Sequence, residues 1–309
     1  MITLLRFIAL ALLLALHTLH AQERINKKLQ RSIEELVKGF KGQVGIYVKN
    51  LNTGRVAYYN ADTIFPTASM IKIPIMIGVM DKIQKGELSY DQELVYTDSL
   101  LYAGVDILGS YKNGEKTSIG RVMMLMLTMS DNTASLWLQS LAGTGTRINA
   151  ILDSNGFQHT RVNSRTPGRE NNRTQYGWGQ TTPREMVGLM EKIYKGQMVS
   201  PEASGKMLRL LGRNYWDGVA ISQIPPTVFV ASKNGAVNQS RSETLLVMSP
   251  HGPYAFSIIT KNNEDQRWTQ NNEAWVMIRK LSRLLWEHFD DRKSRWTPPT
   301  PVEGTSGVL

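Results

Sequence analysis

Apolar and polar positions along the chain fall into two alternating rhythms. Between residues 24 and 40, Ile25, Leu29, Ile33, Leu36 and Val37 recur at helical spacing on an otherwise polar segment. Residues 43–49 and 56–60 alternate as strands do, and Asn52-Thr53-Gly54 between them predicts a hairpin. From Ser69 to about Asn214 strand signals vanish. Helical spacing predicts helices at 69–85, 118–129, 132–141, 145–155, 183–195 and 200–212. After Pro225-Pro226, strands return at 227–232, 244–248 and 254–260. A closing stretch, 271–289, carries Trp275, Ile278, Leu281, Leu285 and Trp286 on one helical stripe, and the tryptophans are read as core against the sheet.

Strands at both ends with helices between them predict an α+β fold. One antiparallel five-stranded sheet is sandwiched by helices, an all-helical domain packs beside it, and a ligand cleft forms at their junction. Residues 22–66 and 215–291 form the discontinuous sheet domain, 67–214 the inserted helical domain, and 292–309 a Pro-, Gly-, Ser- and Thr-rich tail expected to be disordered. Residues 1–21 have the pattern of a secretory signal peptide: Arg6, an apolar core from Phe7 to Leu16, then small Ala21. That core is too short to span a bilayer. The expectation is a periplasmic or secreted protein with no stable membrane insertion.

Charge and cysteine content narrow the chemistry. The net charge of +10 is spread along the chain with no recognition-helix or finger pattern, so it suits solubility and an anionic envelope better than nucleic acid. Without cysteine there are no disulfides, thiol nucleophiles or cysteine metal sites. His159, His251 and His288 stand too far apart in sequence to suggest a metal centre, and no cofactor is implied.

Three polar clusters carry chemistry. Ser69 and Lys72 stand three residues apart at the start of an apolar run, so on a helix they share a face, a nucleophile one turn from a base. Pro74 inside that run is an oddity of the kind that gathers at working sites. One Ser-x-x-Lys is roughly the chance expectation here, so the pair gains weight only from company. Ser130-Asp131-Asn132 opens a predicted helix, with Asp131 a candidate N-cap. Lys233-Asn234-Gly235-Ala236 follows a predicted strand, where a cation beside a glycine suits close approach to an anionic substrate.

In this order and spacing the three clusters resemble the class A serine β-lactamases and their penicillin-binding relatives, over residues 24 to about 290. The resemblance implies that Ser69 is acylated by the lactam carbonyl, Lys72 is its proton partner, and Ser130 protonates the departing nitrogen. It implies that Asn132 binds the substrate amide, Lys233 favours its carboxylate and tunes Ser130, and the backbone N–H groups of Ser69 and Ala236 form the oxyanion hole. Arg241 matches the family's second carboxylate-binding cation, with a surface arginine the competing reading. The implied partner is a small β-lactam, bound by a monomer.

Two departures stand out. Asn234 replaces the usual Thr or Ser, with a different reach towards a carboxylate. In the loop from His159 to Thr182, Thr166 occupies the position of the glutamate that activates the deacylating water. Glu170, the sole acidic residue of that loop, is read either as a displaced base or as a salt-bridge partner of Arg169 or Arg173. The sequence therefore supports a β-lactamase with Glu170 as deacylation base, a slowly deacylating penicillin-binding protein or D,D-peptidase, or a non-catalytic envelope binding protein. Tyr102 is placed either at the cleft mouth or in simple packing.

Overall fold

The structure, a computed structural model, describes residues 23–102, 107–290 and 296–298. The signal peptide read at 1–21 and nearly all of the tail read at 292–309 lie outside the described residues.

Helix α1 (Lys27–Leu36) starts at Asn26, whose side chain accepts a hydrogen bond from the Leu29 N–H, and it turns Leu29 and Ile33 inward. Strands β1 (Gln43–Asn50) and β2 (Val56–Tyr59) form the predicted hairpin. After β3 (Phe65–Pro66) comes a 3₁₀ turn, Ala68–Ile71, that runs into α2 (Lys72–Gln84). The chain continues through β4 (Glu93–Val95), β5 (Lys116–Ser118) and α3 (Ile119–Met124), then a π-helical turn at Leu125–Met129. Next are α4 (Asn132–Leu141), α5 (Thr144–Ser154), β6 (Arg161–Val162), α6 (Glu170–Tyr176), β7 (Gly179–Thr181), α7 (Pro183–Tyr194) and α8 (Pro201–Leu211). Strands β8 (Val230–Val237), β9 (Ser240–Ser249) and β10 (Gly252–Lys261) precede the closing helix α9 (Glu273–Phe289).

The main sheet has the order β2-β1-β10-β9-β8, every neighbour antiparallel. The last strand, β10, lies at its centre, so the two ends of the chain are joined through the backbone pairing of β1 with β10. Alternation then sorts side chains between two cores. Ile46, Val48, Leu245, Val247 and Phe256 pack with α1 and α9, including Trp275 and Trp286. Leu246, Ala255 and Ile259 face the other way and merge with the core of α2, α4, α7 and α8. The edge strand β8 is left beside the 3₁₀ turn that carries Ser69.

Several local expectations shift. The stretch read as wholly helical carries short strands, β4 paired with β5, and β3-β7-β6, the latter bracketing the 159–182 loop. The strand read at 227–232 is displaced to 230–237, because Lys233, Asn234 and Gly235 pair with Thr244, Glu243 and Ser242 despite their polarity. Pro74 breaks no local rule. It is the third residue of α2, in the first turn, where a backbone N–H would have no acceptor within the helix.

Candidate active site

Ser69 is seated beside a strained backbone. Ala68, just before Ser69, has φ +43°, and Ser130 has φ +62°, both in the left-handed region that side chains avoid. Such residues cost about 1–3 kcal/mol each and persist only where surroundings hold them. For Ala68 that hold includes the Thr67 N–H bonded to Gly179 O at 2.9 Å. For Ser130 it includes the π-helical turn before it and the α4 N-cap after it. Asp131 provides that cap, its carboxylate accepting from Ala134 N at 2.7 Å and from Leu108 N at 2.9 Å. The indole of Trp216 donates to Met129 O at 3.0 Å from the other side.

Lys72 is the hub. It is fully buried, and its Nζ lies 3.1 Å from Ser69 Oγ, 3.0 Å from Ser130 Oγ, 2.5 Å from Ser130 O and 2.9 Å from Asn132 Oδ1. Ser69 and Lys72 therefore meet as the one-turn spacing predicts, even though a 3₁₀ turn supplies the first residue and an α-helix the second. Ser130 and Asn132, some sixty residues on, are brought to the same amine.

Strand β8 closes the other side. A Cβ built on Gly235 would lie 2.6 Å from Thr67 O and 2.9 Å from Ser69 N, so only glycine lets this strand approach the backbone at Ser69. Lys233 is fully buried, with Nζ donating to Asn234 Oδ1 at 2.9 Å and Asn234 O at 3.0 Å. Burial first, and the neighbouring Lys72 second, hold its amine well below the usual lysine range, with Glu243 pulling weakly upward. Glu243, the cross-strand partner of Asn234, is pushed up to about 8 by burial; one carboxylate oxygen accepts from Ala220 N at 3.0 Å.

Above this floor opens a cavity of about 520 Å³, lined by Ser69, Asn132 and Ala236, by Tyr102 and Trp178, and by Lys261. Tyr102 and Trp178 meet edge to face at 5.1 Å between ring centres. No acidic side chain lines this cavity among the described residues.

A family model described as the Beta-lactamase enzyme family matches residues 28–289, with the serines and lysines of this site inside it. The chain belongs to that family. It is a serine hydrolase of the class A β-lactamase type, with the α+β fold of those enzymes. β-Lactamase VEB-1 of Pseudomonas aeruginosa is 24% identical, over 91% of this chain and 97% of its own. β-Lactamase AER-1 of Aeromonas hydrophila is 23% identical, over 72% and 74%. The solved structure of PBP-A is 25% identical and superposes with a TM-score of 0.77, covering 87% of this chain and 98% of its own. A class A β-lactamase from Bacteroides cellulosilyticus, at 19% identity, superposes with a TM-score of 0.76 over 86% and 98%.

Within this β-lactamase-family fold, two residues singled out by sequence stand apart from the cluster. Arg241 neighbours Ser242, which points at Thr67, so alternation sends Arg241 to the opposite face of β9. There it is buried between Trp268 and Trp275, at 4.3 and 4.5 Å from their ring centres. Its guanidinium donates to carbonyls, among them Ser240 O at 3.0 Å and Arg267 O at 3.2 Å. Glu170 is exposed on the first turn of α6 and accepts from Gly168 N at 3.1 Å. It forms no salt bridge with Arg169 or Arg173. Arg169 instead reaches Asn163 Oδ1 at 2.9 Å and Gln180 Oε1 at 2.7 Å.

Thr166 is buried, its hydroxyl donating to Ser164 O at 2.9 Å, and a Cβ on Gly145 would run into that hydroxyl. Asn234 lies outside the cavity lining. Sequence reasoning missed Trp178, Tyr176 and Lys261. The signal available was an aromatic pair within a polar loop, and a lysine closing an otherwise apolar strand.

Proposed function

We propose that this β-lactamase-family protein opens β-lactams by acylation at Ser69 and then releases the product slowly. The observation that carries the reading is the shared amine: Lys72 Nζ stands 3.1 Å from Ser69 Oγ and 3.0 Å from Ser130 Oγ. As Ser69 Oγ bonds to the lactam carbonyl carbon, its proton passes to Lys72. The backbone N–H groups of Ser69 and Ala236 receive the developing oxyanion, where one such donor is worth about 3 kcal/mol. As the carbon–nitrogen bond breaks, Ser130 gives its proton to the nitrogen and recovers one from Lys72. An ester on Ser69 and a neutral secondary amine result, with every proton accounted for. Lys233 supplies positive potential for the substrate carboxylate, and Asn132 a partner for its side-chain amide.

Hydrolysis of that ester needs a base to activate water. Thr166 is no base near neutral pH, and its hydroxyl is committed to Ser164 O. Glu170 is turned to solvent. Acylation has a parallel in PBP-A, one variant of which is solved as an acyl-enzyme complex with penicillin G. A second reading, rapid hydrolysis with Glu170 as base, is favoured by one observation: α6, which begins at Glu170, leads directly into the cavity residues Gln175, Tyr176 and Trp178.

Intact-protein mass spectrometry after brief penicillin exposure tests the reading. Slow release gives a stoichiometric adduct lasting minutes or longer. Rapid loss of adduct with turnover favours the second reading, and absence of any adduct removes acylation altogether. The leader read at residues 1–21 belongs to the same proposal, as an envelope address, and N-terminal sequencing of exported protein checks it.

A further inference from the structure

The cavity over Ser69 is also lined by Lys261, a residue outside the three clusters that carry the proposed chemistry. This residue ends β10, paired with Gln43 of β1, and both side chains line the cavity. Its stem is packed, with Nζ 4.9 Å from the centre of the Phe65 ring and donating to Ile64 O at 2.7 Å. That single bond leaves two of the three ammonium donors unspent. Lys261 forms no salt bridge among the described residues, whereas many of the exposed lysines and arginines are paired with carboxylates. Partial burial holds its amine below the usual lysine range, as expected for a cation denied water without receiving a counter-ion. The neighbouring lining groups are neutral: Gln43, Gln239, Asn262 and Gln175.

Arg241 is unavailable to this cavity, spent on carbonyls and two tryptophans on the other face of the sheet. The cleft thus has two buried lysines behind it, Lys72 and Lys233, and a separate lysine, Lys261, in the cavity lining. We infer that Lys261 is a specificity-determining residue that binds an anionic group on the substrate's acyl side chain, remote from the reacting carbonyl. The substrate class is a β-lactam or acyl-peptide bearing a carboxylate on that side chain. The inference rests on acylation at Ser69 as proposed above.

The test compares benzylpenicillin with its α-carboxy derivative, which differ by one carboxylate on the side chain. Acylation efficiency is measured for the wild type, Lys261→Met and Lys261→Arg. Loss of a partly buried, charge-assisted contact should cost Lys261→Met about tenfold with the carboxylated compound, and less than about twofold with benzylpenicillin. The loss should lie in the apparent binding constant rather than the maximal rate, shrink as salt is raised, and be restored by Lys261→Arg. Equal losses with both compounds, or none, would overturn the inference while leaving the acylation reading intact. A wild type that forms an adduct with neither compound would overturn both.

Discussion

The floor of the cavity and the wall made by the 159–182 loop are built from opposite materials. In the floor, a buried lysine is shared by two hydroxyls and an amide, and a second buried lysine lies close behind. The loop wall spends its polar groups on itself. Gln139 and Ser164 exchange hydrogen bonds, Asn149 clamps both backbone groups of Val162, and Arg169 and Asn172 share Gln180 Oε1. Glu185 of α7 accepts the N–H groups of Gln158, His159 and Thr160 at the loop's entry. One wall is arranged to move protons, the other to hold a shape. In the proposed mechanism acylation draws on the first, whereas hydrolysis of the ester would need a base from the second.

Four measurements break or sharpen that contrast. Lys72→Met should cost the most, lowering the acylation rate about a thousandfold, since a positioned proton acceptor is worth roughly 10²–10⁴; adduct formation at the wild-type rate would end the role of Lys72. Gly235→Ala comes next. Its methyl would press on Thr67 O and Ser69 N, widening the gap between β8 and the nucleophile. Acylation should fall about a hundredfold, the scale of a lost oxyanion donor, while circular dichroism stays native.

The third concerns pH. Burial raises the Glu243 carboxyl to about 8, so between about pH 4.3 and 8 the folded chain keeps a proton that the unfolded chain has released. The stabilisation linked to that proton is full below this window and is lost as pH rises through it. Glu243→Gln removes the loss, and should melt on the order of 10 °C above wild type at pH 8.5 while matching it near pH 4. Lys233, whose lowered amine gives stability the opposite slope, is present in both chains, and only its coupling to Glu243 differs between them. A difference in melting temperature independent of pH would show that Glu243 does not titrate as described.

The smallest effect is expected from Glu170→Gln, with the lifetime of the penicillin adduct changing by less than about twofold, because the residue faces solvent. Adduct that persists in the variant while the wild type turns over would place the base on the loop after all.

Much of the site was legible because its parts are local. Ser69 and Lys72 belong to one turn, Ser130, Asp131 and Asn132 to one helix start, and Lys233, Gly235 and Ala236 to one strand, so sequence spacing carries their mutual geometry. The hairpin at Asn52-Thr53-Gly54, the Asp131 cap and the buried tryptophans of α9 were readable for the same reason. Tyr102 was placed at the cleft mouth or in packing, and it lines the cavity. Arg241, by resemblance a carboxylate-binding cation or else a surface arginine, is neither, being buried on the far face of β9, a distinction that depends on which residue of β9 faces Thr67. Glu170 was read from its place in a loop whose folding into a short helix turned its side chain outward.

By itself the order of residues determined which groups are candidates for the chemistry, because repeating apolar spacing and helix-start residues act over a few positions. Only tertiary structure decided which of those groups meet. The β1–β10 pairing, the approach of Gly235 to Ser69 and the face taken by Arg241 depend on strand register between distant segments, and a shift of one residue there exchanges the two sides of a strand.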